Sequence, residues 1–148
     1  MVSFKSNAKN YRDAESMAAA YLAAYFANSK IKYPLNPFKM LKDEGVEFKI
    51  CNFNKLEGVY IPAQSQEDIS IVGISAKRPI TRQRFTAAHE LCHHFRDADK
   101  QVACPIGKKN ASEYFADAFA SALLMPMGEL KIKVNEYKDI NCLLYTSD

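Results

Sequence analysis

Residues 87–95 read Ala-Ala-His-Glu-Leu-Cys-His-His-Phe, and the spacing within them organises the whole chain. They contain His89-Glu90-x-x-His93. On a helix, residues four apart share a face, about 40° apart around the axis and ~6 Å apart along it. Two imidazoles so placed reach one metal ion at ~2.0–2.1 Å. Glu90 projects about 100° from His89. It can flank the metal without ligating it and take a proton from a water. Only three positions of this pattern are fixed, so its neighbours must supply the rest.

Upstream, the pattern predicts a helix from Thr81, with Thr81 as N-cap and Phe85, Ala88, His89, Cys92, His93 and Arg96 at three- and four-residue steps. Before it lie three strand candidates, Glu47–Phe53, Gly58–Pro62 and Asp68–Ser75, separated by turn-forming residues. They suggest a small antiparallel or mixed sheet. Earlier still, 12–28 reads as an alanine-rich helix, with Met17, Tyr21, Leu22 and Tyr25 on helical spacing. A short helix from Pro37 to Lys42 follows a proline turn. Residues 1–10 read as loose.

Downstream, 97–110 is polar and holds Pro105 and Gly107, so it reads as a loop. A second strong helix spans Ala111–Leu124, stopped by Pro126 and Gly128. Glu113 lies 20 residues after His93, enough for one loop to bring this helix beside the first. Catalytic zinc needs a third protein ligand and an open position. Glu113 and Asp117, four apart, share a face. One carboxylate can bind metal; the other can accept a hydrogen bond from the far nitrogen of a ligand histidine. Ala116 and Ala120 lie near that face and permit close helix contact. The fold class implied is α+β, a small sheet on the histidine helix, with an N-terminal helix and a second helix carrying the acids.

The run Arg84-Phe-Thr-Ala-Ala-His-Glu-Leu-Cys-His-His, with Glu113-x-x-Ala-Asp-x-Phe-Ala-x-x-x-Leu-Met-Pro over 113–126, resembles the ImmA/IrrE family of metallopeptidases. The resemblance spans about residues 82–126. It implies a reduced zincin-like fold, His89, His93 and Glu113 as zinc ligands, and Glu90 as general base. Family members typically cut helix-turn-helix repressors of mobile elements or stress regulons. Cys92 departs from the glycine common in the family; it reads as a small buried residue rather than a redox switch or fourth ligand. His94, also off the ligand face, reads as a structural or surface residue.

Composition narrows the partners. A formal charge of +3, with scattered lysines, argues against direct nucleic-acid binding. The longest apolar run, Met17 to Ala27, is too short to span a bilayer. Asp13 and Glu15 precede it, unlike a signal peptide. The four cysteines show no paired spacing, which fits a reducing, cytoplasmic setting. The expected activity is zinc-dependent endopeptidase action on a DNA-binding repressor, with manganese or iron as alternative metals. The competing readings are a metal-binding sensor that acts by binding alone and a phage or toxin-system accessory protein with a decayed site. Tyr114, Tyr60 and His94 are candidate oxyanion donors, and Ile69–Ile74 a candidate strand for pairing with substrate. One domain is expected over 1–141. Residues 142–148, beginning Cys-Leu-Leu-Tyr-Thr-Ser, read as the non-native tail of a truncated frame.

Overall fold

Residue 86 onward on the histidine helix shows how the chain is arranged. Thr86 to His93 are all buried, a helix enclosed on every side. The computed structural model describes residues 4–27, 29–107 and 109–125. The elements in order are α1 (Phe4–Asn7), a 3₁₀ turn (Ala8–Asn10), α2 (Ala14–Tyr25), α3 (Pro37–Asp43), β1 (Glu47–Cys51), β2 (Leu56–Ile61), β3 (Ile71–Ser75), α4 (Ile80–Arg96), β4 (Val102–Pro105) and α5 (Ala111–Leu124). The fold is α+β, as expected, and consistent with a small zincin-like domain. The tail and residues 129–141 lie outside the described residues.

Local chemistry sets most boundaries. Asp13 caps α2 by accepting from the Ser16 amide at 3.0 Å. Asn36 caps α3, and Pro37 occupies its first turn. Asn110 caps α5 through the Glu113 amide at 2.9 Å. The start of α4 differs from expectation. The first helical bond runs from the Gln83 amide to the Pro79 carbonyl, so Pro79, not Thr81, is the capping residue. No side-chain hydrogen bond caps this end of the helix.

The sheet order is β1-β3-β2-β4. β1 and β3 run parallel; β2 is antiparallel to both β3 and β4. β4 falls inside the segment expected to be a loop. It is a short edge strand ending in Pro105, a residue tolerated at an edge. The candidate pairing strand meets the opposite fate: β3 lies between β1 and β2, so its backbone is already committed.

Register fixes what faces α4. Tyr60 pairs with Val72 and Gly58 with Ile74, placing these side chains on one face. Val72, Ile74 and Tyr60 pack with Ala87, Ala88 and Leu91 in the core. On the other side α4 meets α3 and α5, and α5 also packs on α2. Within the stretch expected to be loose, the described residues from Phe4 onward are packed, and 1–3 lie outside the described residues. Phe4 packs edge-on to Phe95 at 4.8 Å, and the Arg96 guanidinium donates to the Ala8 and Tyr11 carbonyls at 3.1 and 2.7 Å.

Candidate metal centre

His89 and His93 leave α4 on its α5 side with their Nε2 atoms 3.1 Å apart. Their far nitrogens are both held. His89 Nδ1 donates to Asp117 Oδ1 at 2.8 Å and His93 Nδ1 to Asp97 Oδ2 at 2.9 Å. Spacing alone leaves this role open to Glu113 or Asp117, and it is Asp117 that His89 Nδ1 contacts. Asp97 was not expected in such a role, because it caps the helix C-terminus, where the sequence turns polar. The signal was present nonetheless: Asp97 stands four residues after His93.

Glu113 completes the arrangement from the first turn of α5. Its carboxylate oxygens lie 2.9 Å from His89 Nε2 and 3.1 Å from His93 Nε2. With both Nδ1 protons directed at carboxylates, both Nε2 lone pairs face a third carboxylate. Acceptors facing acceptors need a positive charge between them. In the metal-free protein protons supply it. Burial opposes the charge on His93, yet its hydrogen bonds to Asp97 and Glu113 carry its pKa up to about 9. His89 is raised against burial by Asp117 and Glu113. Glu113, though burial acts to raise it, is held well below the usual carboxylate range by the two rings. A divalent cation fits the same position. Two tetrahedral bonds of ~2.0–2.1 Å put donor atoms about 3.3 Å apart, close to the spacings here.

Glu90 sits beside this cluster, fully buried. Its carboxylate lies 3.3 and 3.4 Å from Cys104 Sγ. Burial pushes its pKa up to about 7, despite the pull of His89 and His93. Gly58 makes this position possible. A Cβ there would come within 2.7 Å of both Glu90 Oε2 and Thr86 Cγ2, so only glycine lets β2 lie this close to α4.

Single donor atoms from His89, Glu90, His93 and Cys104 also fall within 4.8 Å of one another. Two acids therefore compete to join the histidines. Glu113 touches both rings, whereas Glu90 pairs with neither and contacts the thiol. Glu113 is the better-placed third donor. Cys104 was not singled out in the sequence, because its place depends on a strand too short to recognise by pattern.

The expected oxyanion donors lie elsewhere. Tyr60 is buried, its hydroxyl 3.2 Å from Ser70 Oγ and 3.0 Å from His94 Nδ1. Tyr114 is 63% exposed and lines a groove with Arg12 and Met125. A small cleft does open beside His89 and Glu113, rimmed by Arg82, Pro105 and Lys109. Lys109 pairs with Asp117, and Arg82 with Glu57 at 2.7 Å. Cys92 is buried in the apolar cluster, as expected.

The profile of the IrrE N-terminal-like domain, peptidase family M78, matches residues 41–143. The chain belongs to this family. No curated protein matches the chain. The IrrE-like match begins in α3 and covers every residue of the cluster just described. Metallopeptidase-type chemistry is thus the family's, and the buried His and acid donors of this IrrE-like domain could hold a metal ion. Among the described residues, no helix is long and apolar enough to cross a membrane.

Proposed function

We propose that the chain is a zinc-dependent endopeptidase of the His89-Glu90-x-x-His93 type, acting on a DNA-binding helix-turn-helix repressor in the cytoplasm, without binding nucleic acid or membrane itself. One observation carries this reading. The Nε2 atoms of His89 and His93 and the Glu113 carboxylate converge within 3.1 Å of one another, and the buried Glu90 carboxylate stands beside them.

His89, His93 and Glu113 would hold the ion. When bound, zinc supplies Lewis acidity, polarising a peptide carbonyl and acidifying a water. Glu90 would accept the proton of an attacking water and hand it to the leaving amine. Burial favours the protonated form of Glu90, which eases its handover of a proton to the leaving amine. Asp117 and Asp97 keep the rings in one tautomer and fix their aim. The outer edge of β4, which pairs with no strand among the described residues, offers backbone groups to an extended peptide.

The test is Glu90→Gln. The variant is expected to keep fold and zinc stoichiometry and to lose about 10²–10⁴-fold in cleavage of the candidate repressor. Full cleavage by the variant would remove Glu90 from the mechanism. A second reading, a sensor that binds its partner without cutting it, draws support from Cys104, which crowds the donor cluster. Repressor release without fragments, seen by gel and mass spectrometry, would favour it.

A further inference from the structure

The two buried cysteines behave differently. Cys92 sits among apolar side chains and is part of the core cluster. Cys104 is 5% exposed, yet its sulfur is surrounded by the atoms of the donor site. Cys104 Sγ lies 3.2 Å from His89 Nε2, 3.5 Å from Glu113 Oε1, and 3.3 and 3.4 Å from the two Glu90 oxygens. A tetrahedral ion with ~2.0–2.1 Å bonds to nitrogen or oxygen and ~2.3 Å to sulfur sets the sulfur about 3.6 Å from its fellow ligands. The sulfur meets this spacing toward His89 and Glu113 and lies within 4.8 Å of the His93 donor atom, on the side of the three donors where a fourth ligand would stand.

The backbone fixes it there. Cys104 pairs with Gly58, so its side chain points to the α4 face of the sheet. The missing side chain at Gly58 leaves the sulfur and the Glu90 carboxyl room to lie together.

We propose that Cys104 is a fourth protein ligand to the ion, its thiol proton passing to water as the metal–sulfur bond forms, and that it closes the site, so that the metal-loaded chain rests latent until the sulfur is reprotonated and leaves, a water taking its place. This rests on the metal reading above and adds a regulatory layer to it. Four protein ligands make a closed centre, whereas catalysis needs one position free. The sulfur lies between His89 and Glu90, where an attacking water would have to stand. Release of Cys104 vacates that position and uncovers Glu90. Sulfur ligation also favours zinc over manganese.

The experiment is the visible and near-ultraviolet spectrum of the full chain loaded with cobalt(II). Wild type is expected to show tetrahedral d–d absorption together with a sulfur-to-cobalt charge-transfer band. Cys104→Ser should lose only the charge-transfer band, while Cys51→Ser and Cys142→Ser keep both. Absence of all cobalt absorption would sink the metal reading itself. Normal d–d absorption with no charge-transfer band in wild type, or the band surviving in Cys104→Ser, would overturn Cys104 ligation and leave the three-donor site standing. X-ray absorption of the unmutated zinc form gives a check independent of folding: one sulfur at ~2.3 Å supports the proposal, and none overturns it. Cleavage by Cys104→Ala should exceed that of wild type. An equal or lower rate in a fully zinc-loaded variant would refute latency.

Discussion

Glu90 and Glu113 are both buried, both within the same small cluster, and opposite in character. Glu90 lies under the sheet in the middle of α4, without an ion-pair partner among the described residues, and burial raises it to about 7. Glu113 lies in the first turn of α5, and contact with two imidazoles holds it ionised. Equal chemistry thus yields a proton acceptor in one region and a permanent anion in the other. Pairing, more than depth, separates the two roles.

The largest effect is expected from breaking that pairing. Glu113→Gln removes the anion between the rings and should weaken zinc binding by more than about 100-fold, the upper range for losing even a supporting group. Competition titration against a chelator measures it. Glu90→Gln should leave that affinity nearly unchanged, and equal losses in the two variants would erase the distinction drawn here.

Next comes pH. In the metal-free protein His93 keeps its proton up to about 9, and zinc needs the neutral ring. Zinc binding near neutrality should release a proton, and apparent affinity should rise about tenfold per pH unit until about pH 9. Stability of the metal-free protein runs the other way. Between 4.5 and about 7 the folded chain retains the Glu90 proton that the unfolded chain loses. From 6.5 to about 9 the same holds for His93. The folded state binds more protons in both windows, so its stability falls as pH rises through them. Denaturation of chelator-treated protein across this range tests the sign; a flat profile would contradict both assignments.

Gly58→Ala sharpens the comparison from the sheet side. The added methyl would collide with Glu90 and Thr86, and overpacking of this kind costs about 1–3 kcal/mol. Glu113 is untouched by it, so zinc stoichiometry should survive while cleavage and melting temperature fall. Smallest is Asn110→Ala, which removes the α5 cap next to Glu113 and should cost about 1 kcal/mol in denaturant unfolding.

How much was readable from residues alone follows from the range of the interactions. His89, His93 and Glu90 announce themselves because one helical turn relates them. Glu113 and Asp117 were readable as a shared face on a helix long enough to be recognised. The capping side chains at Asp13 and Asn36 act within three residues, and α2 and α3 lie close to where the pattern put them. Asp97 escaped because a helix end and a loop start look alike in sequence. Cys104 and Gly58 escaped for a deeper reason: their contact is created by strand register across β2 and β4. The tight N-terminal segment likewise depends on Arg96, which is remote in sequence. Local periodicity carries no record of either pairing.

The enclosure of α4 has an evolutionary consequence. A middle helix walled in from Thr86 to His93 has no free side on which to experiment. Novelty in what the chain recognises must come from the periphery, chiefly the outer margin of β4 and the turn leading into α5. Related chains should therefore differ most at exposed positions such as Ala103 and Ile106, on either side of the buried Cys104, while their buried helix changes little.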